Sequence, residues 1–448
     1  MHEIEDSKTA YKKYLEVALP AAMQGLLLDL MLAIDLAMVG GLGADALASV
    51  GIMSQPRMVL LVLVRSLSVA VTAMVARRKG EGRISEMNGI LKQAIALTFL
   101  IYIPMLIAAF CFLPEIISFA GGKGELIIEG AVYGKYIVVG LFFAAFTQIV
   151  SAALIGIGYT KVVFKANAVG NVINTILNIF LIHGIWLFPR MEIAGAGLAT
   201  LIGNVVTAAI IFVVILNKNH ELNILDGSSW RFSKTNAHSF FKVGLPALGE
   251  QSFERFGMFT YTKMVAELGV LQLATHQVCM NLTDIFYSFS MGLGYASAAH
   301  TGQWLGKGRE DAAKEYGKIG LKVGVLIAVV FCAICIIGRH ILIDIYTDDT
   351  EVIKLGSNII IILAIASFPQ AIQLVCSGVL KGAGDSFYVM IYSLFVIAIF
   401  RPILTYVLCF KFNMGLYGAW IAVITDQSLR MVFSYTRFKY GKWMHIKI

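Results

Sequence analysis

Apolar residues run along this chain in stretches of about twenty or more, separated by short polar segments, and the pattern holds from end to end. The apolar windows fall at 15–39, 47–76, 90–113, 131–157, 163–187, 194–216, 241–268, 272–303, 319–343, 355–380, 387–410 and 415–436. Each is long enough to cross a hydrocarbon core of ~30 Å as a helix. No sizeable soluble domain fits between them. The pattern predicts an all-α integral membrane protein of about twelve transmembrane helices.

Composition agrees with the pattern. Hydrophobic residues make up 58% of the chain and charged ones 14%, against roughly 45–50% and 25% in soluble globular domains. The net charge of +8 would suggest nucleic acid if the basic residues formed one patch, but they alternate from loop to loop. Lys8, Lys12 and Lys13 precede the first window, Arg77, Arg78, Lys79 and Arg83 follow the second, and Arg437, Lys439 and Lys442 follow the last. The opposite loops carry acids, such as Glu115, Glu125 and Glu129. The positive-inside rule then puts both termini in the cytoplasm. The expected location is the inner membrane, multi-pass, with no nucleic acid as partner. The opening "MHEIEDSKTAYKKY" has no cationic lead into a cleavable apolar segment, so no signal peptide is expected.

The chain also repeats itself. "VALPAAMQ" starts at Val17 and "VGLPALGE" at Val243, and the displacement between them also carries Gly82 to Gly308, Arg83 to Arg309 and Gly158 to Gly384 without a gap. Six windows per copy is an even number, so the copies share one orientation and are related by an axis along the membrane normal. The expected organisation is an N-terminal six-helix lobe over 1–217, a cytoplasmic linker over 218–240 and a C-terminal six-helix lobe over 241–448. The two bundles would enclose a central cleft.

Against this apolar background Asp35, in "MLAIDLAMVGGLG", stands out. A carboxylate inside a membrane helix costs roughly 2.5–3.5 kcal/mol at the centre on insertion scales, and such groups face a cavity and do work there. In the fifth window Asn167, Asn171, Asn174 and Asn178 are spaced to stack on one helix face, and Thr200 and Asn204 do the same in the sixth. Carboxylate, amide carbonyl and hydroxyl oxygens suit a small hard cation rather than a transition metal. The bland reading of such amides is interhelical packing, and it is preferred for Asn167 and Asn171.

"LPAAM", "IDLAMVGGLG", "LATHQV", "GLGYASAAHTGQWLGKG" and "GVLKGAGDS", in this order and duplicated, resemble the multidrug and toxic compound extrusion (MATE) transporters across essentially the whole chain. The resemblance implies a cation-coupled antiporter whose two lobes alternately open a central chamber to either side. It implies that Asp35 binds the coupling ion, sodium or a proton, with Asn174, Asn178 and Thr200 as partners. It matches Glu254 to a glutamate of the seventh span and leaves Gln370 where some relatives have an aspartate, so these two form a candidate substrate or second cation site. Exported compounds would be amphipathic and often cationic, accepted by Met and Phe side chains concentrated in windows one, seven and eight.

Several other readings complete the picture. A lipid-linked oligosaccharide flippase of the same superfamily is the alternative function. No HExxH, no GxSxG and no carboxylate pair placed for metal is present in the sequence, so an enzyme is not expected. The six cysteines all lie within apolar windows and read as small buried residues rather than a metal or redox motif. Asp385, in "KGAGD", reads as a turn acid. No cofactor besides the coupling ion is expected, and a monomer is. Finally, Asp29 and Arg255 occupy repeat-equivalent positions with opposite charge, which makes them a candidate gate between the lobes.

Overall fold

The structure is a computed structural model that describes residues 7–185 and 188–448. Its long helices are α1 (Ser7–Gly40), α2 (Ala44–Gly80), α3 (Ile84–Cys111), α4 (Glu125–Gly156), α5 (Thr160–His183), α6 (Glu192–Leu216), α7 (Lys234–Glu267), α8 (Val270–Gly306), α9 (Glu310–Ile337), α10 (Thr350–Gly382), α11 (Ser386–Lys411) and α12 (Gly415–Tyr440). Each coincides with most of one of the apolar windows, and the end of the fifth, Trp186 and Leu187, lies outside the described residues. Among the described residues, nine of these are apolar enough by length and composition to cross a membrane. The exceptions are α7, α8 and α12, which carry more polar and charged side chains within the same lengths. Helices suit a hydrocarbon solvent because every backbone hydrogen bond closes within the segment. Large apolar side chains correspondingly stay exposed along them, as at Leu100, Val213, Leu326 and Ile403. Cys279, Cys335, Cys376 and Cys409 are buried as expected of small apolar residues, whereas Cys111, at the end of α3, is exposed.

The packing falls into two compact units, Met23–Phe240 and Phe241–Ile448 joined by the chain up to Ala22. The sequence placed all of 1–217 in one lobe; the first half of α1 instead packs with the C-terminal helices. There the Tyr14 hydroxyl donates to the Leu293 carbonyl at 2.9 Å, and Ala22 backs directly on Gly292. Pro20 lies inside α1 just before the changeover.

Duplication is written in the backbone. Gly43 and Gly269 start α2 and α8 with φ of 120° and 121°, Gly82 and Gly308 close the next turns at 73° and 69°, and Gly158 and Gly384 share φ 90°. All three pairs keep the one displacement that carries Val17 to Val243. A side chain is strained at such angles, so glycine marks the turn in both copies. The same displacement relates two helix crossings: a Cβ at Gly156 would meet the Thr72 carbonyl at 2.8 Å, and one at Gly382 would meet the Ala298 carbonyl.

The polar linker is strapped to the N-terminal unit. Lys92 of α3 is 1% exposed and directs its ammonium to the carbonyls of Asp226 and Ser228, both at 2.8 Å, and to Asp226 Oδ1 at 2.7 Å. Three donors thus have three acceptors, as a buried ammonium requires. Asn88 accepts from the Asn223 backbone, Gln93 donates to the Arg231 carbonyl, and Asn236 donates to Gln93. Lys79 pairs with Glu221 at 2.7 Å. Partial burial works against the Asp226 charge, but hydrogen bonds from Lys92, Ser228 and Asn88 and the Lys92 charge outweigh it and hold the carboxyl below its ordinary range. A lowered pKa means that this contribution is complete above the unfolded value, about 3.9, and is lost as pH falls through the lower folded value. Amide protection over 222–236, taken relative to the intrinsic exchange rate at each pH, is therefore expected to hold from neutral pH to about 4 and to fall below it. In Lys92→Met exchange there should be fast throughout, whereas equal protection in the variant would show that the strap is held by something else.

Candidate functional site

The acid that interrupts α1 is met by an amide. Asp35 Oδ1 accepts from Asn178 Nδ2 at 2.7 Å. One turn earlier on α5, Asn174 Nδ2 donates to Thr200 Oγ1 of α6 at 3.4 Å, and Thr200 back-bonds to the Ala196 carbonyl at 3.0 Å. Both asparagines are buried; Asp35 and Thr200 are half-buried. All four belong to the Met23–Phe240 unit.

Glycines make this convergence possible. A Cβ at Gly203 would stand 2.9 Å from both the Asn174 Cβ and the Gly170 carbonyl oxygen, and one at Gly195 would stand 2.7 Å from the Leu181 carbonyl. The backbones of α5 and α6 therefore cross with no side chain between them, the way small residues let membrane helices approach. That contact brings Asn174 within reach of Thr200. On the same helix face Asn178 reaches the α1 carboxylate.

The chemistry is that of an oxygen cradle. Asn178 commits its Nδ2 to Asp35, and its Oδ1 is buried with no hydrogen-bond partner. A carboxylate and an uncommitted amide oxygen then stand side by side, and such hard donors take a small cation or a proton rather than a thiophilic metal. Arg57 of α2 and buried Tyr133 of α4 share the electrostatic surroundings of Asp35. Sequence reasoning missed both. The signal for Arg57 was its place as one of two arginines, with Arg65, inside the apolar run of α2, "SQPRMVLLVLVR".

The remaining candidates lie elsewhere. Asn167 donates to the Val163 carbonyl of its own helix at 2.9 Å. In the Phe241–Ile448 unit, half-buried Glu254 acts electrostatically on Arg430 and Tyr287. Gln370 is buried and lines a narrow cavity with Thr283, Ser367, Trp420 and Gln427; Glu254 does not line it. Asp29 is half-buried on α1, with Oδ2 lacking a hydrogen-bond partner, and Arg255 is exposed on α7; they belong to different units. Asp385 caps the turn before α11 and accepts from Arg437 at 2.7 Å, while burial pushes its carboxyl above the usual range against that contact.

The MatE family model matches the chain twice, over residues 20–180 and 246–407. The chain belongs to the MatE family. The two matches begin at Pro20 and Pro246, equivalent positions of the repeat that the glycine pairs mark. Among curated proteins, the probable multidrug resistance protein NorM of Thermotoga maritima is 25% identical over 437 residues, covering 96% of this chain and 93% of that protein. The uncharacterized transporter YisQ of Bacillus subtilis is 24% identical, with 92% and 90% covered. A crystal structure of a MATE in the bent conformation superposes with a TM-score of 0.88 at 19% identity, covering 97% and 96%. The outward-facing conformation of a multidrug resistance MATE transporter of the MOP superfamily gives 0.89 at 19%, covering 97% of both chains. At these identities the superpositions establish the MATE fold.

For this MatE protein the glycine crossing is a direct lever on the site. Gly203→Ala should lower stability by about 1–3 kcal/mol, the usual cost of overpacking, and should displace Asn174. Gly51→Ala in α2, where a Cβ meets nothing within 4 Å, is the control and should be neutral or slightly stabilising. Thermal unfolding in detergent compares them, and equal midpoints would mean that α5 and α6 can separate at no cost.

Proposed function

We propose that this MATE protein is a cation-coupled antiporter of the inner membrane that exports amphipathic, often cationic, organic compounds by alternating access, driven by sodium or protons. The observation that carries the reading is the Asp35–Asn178 pair, a carboxylate at 2.7 Å from an amide whose own oxygen is buried and uncommitted. A group that must bind an ion at one stage and release it at another needs charge, hard oxygens and incomplete satisfaction, and this pair has all three. NorM relatives described as multidrug resistance proteins support the substrate class. Antiport follows from one site whose occupancy biases two access states by its differential affinity.

The test is transport in proteoliposomes with sodium and proton gradients imposed separately. One of the two should drive efflux of an organic cation. Asp35→Asn keeps size and hydrogen bonding but cannot exchange charge, so it should abolish gradient-driven efflux with normal membrane insertion; unchanged efflux removes Asp35 from the mechanism.

The substrate class has its own probe. Glu254→Gln should weaken transport of cationic compounds more than that of neutral ones of the same size, because a charge partner counts for most where the dielectric is low. Equal losses for both would assign Glu254 to coupling or structure instead.

A further inference from the structure

The C-terminal unit holds a buried ionic group that nothing above employs, and the repeat reveals what it replaces. Helix α5 has 24 residues and α11, its equivalent, has 26. They start at repeat-equivalent positions, Thr160 and Ser386, and α11 is π-wound over Leu394–Phe400 and again over Val407–Lys411. A π turn accommodates one extra residue, and such turns cluster at functional sites. Two insertions therefore account for the two additional residues. Beyond the first insertion the register of the repeat advances by one position, which makes Arg401 the equivalent of Asn174. Helix α12 is registered by its glycine: Gly195 abuts the Leu181 backbone and Gly418 abuts the Leu408 backbone. With Gly418 matched to Gly195, Asp426 replaces Gly203 and Gln427 replaces Asn204. On the ungapped stretch of α7, Tyr261 replaces Asp35.

The contacts follow the equivalence. Asn174 touches Gly203 in one unit; in the other, Arg401 Nη1 lies 3.8 Å from Asp426 Oδ2. The guanidinium also sits 4.4 Å from the centre of the Tyr261 ring, which stands where the cation-site carboxylate stands in the first unit. Arg401 is 4% exposed and Asp426 fully buried. Arg430 donates to the same Asp426 oxygen at 2.9 Å. Asp426 Oδ1, Gln427 Oε1 and the Tyr261 hydroxyl are buried with no hydrogen-bond partner, and so are Arg401 Nε and Arg430 Nε, so the charges here are held by ion pairing and ring contact more than by hydrogen bonds.

We infer that Arg401 is a tethered cation occupying the C-terminal counterpart of the Asp35 site, so that one coupling ion binds per chain, in the N-terminal unit alone. A guanidinium cannot dissociate from the chain and stays protonated under any physiological condition. It therefore holds a positive charge beside Asp426 and over the Tyr261 ring that cannot leave as an ion does, and on this reading no exchangeable ion is needed there. The inference rests on the Asp35 reading of the first unit.

The experiment counts ions. Purified protein in detergent is titrated with radiolabelled sodium, or, where only the proton gradient drives transport, the ion-to-substrate ratio is taken from the reversal potential in proteoliposomes. Wild type should show one coupling ion and Asp35→Asn none. Two ions in wild type, or one surviving in Asp35→Asn, overturns the inference while leaving the transport reading intact; no coupled ion in wild type overturns the transport reading itself. A second arm uses the Asp35→Asn background, whose thermal midpoint should be indifferent to exchange of choline for sodium. Adding Arg401→Gln removes the charge over Tyr261 and leaves Asp426 with Arg430 alone, and should make the midpoint rise with sodium, because a ligand that binds the folded state stabilises it; Arg401→Lys keeps a tethered charge and should not. A sodium-dependent midpoint with Arg401 still in place would refute the assignment, as would one that stays flat after Arg401→Gln in protein that folds.

Discussion

Hydrocarbon supplies no hydrogen bonds, and every polar group carried into it must be answered from another part of the chain. That constraint shapes the interior of both units. Asp35 is answered by Asn178, Asn174 by Thr200, and Asp426 by two arginines. In each case the partners come from different helices or from successive turns of one, so satisfying the polar group also fixes how the helices cross. Glycine does the complementary work: where Gly203, Gly195 and Gly418 remove the side chain, two backbones approach closely enough for short amides and carboxylates to reach each other. At the membrane edge the same rule places Lys92, whose three donors find their acceptors on the linker.

These dependencies explain what could be read in advance. The windows were visible because a helix that spans lipid must be apolar over about twenty residues, and all of them became helices. The repeat was visible because glycines at positive φ tolerate no replacement without strain, which leaves Gly82 and Gly308, or Gly158 and Gly384, at one displacement. Helical spacing showed that Asn174 and Asn178 share one face, and the family resemblance supplied their pairing with Asp35. What escaped was everything that depends on which way a face turns. Arg57 and Arg401 are single letters in apolar runs, and a sequence shows their depth but not their neighbours. Lys92 read as one more residue of a membrane helix, although it clasps a linker far along the chain. The division of α1 between two units was equally hidden, since a continuous helix shows no break in its apolar pattern at Ala22.

The two copies share the φ angles of their turn glycines and their glycine-backed crossings, and differ at several ionisable positions. Tyr261 stands for Asp35 and Arg255 for Asp29, and, with the residue inserted by the first π turn counted, Arg401 for Asn174. On the proposed coupling, an acid kept in both copies would give each lobe the same response to the ion. A fixed guanidinium breaks that symmetry. Its charge is tied to the chain, so the C-terminal unit carries a fixed positive group where the N-terminal unit carries the Asp35–Asn178 pair. The π turns on either side of Arg401 show how such a replacement is accommodated locally. An arginine is far longer than the asparagine it replaces, and the inserted residue alters the register of α11 just before the position that must turn inward, while the flanking turns at Gly384 and Gly415 keep the helix anchored at its ends. The scaffold can thus stay duplicated while its chemistry does not, because turns and crossings are set by glycine, and the polar contacts beside them by a handful of side chains that the crossings leave free to differ.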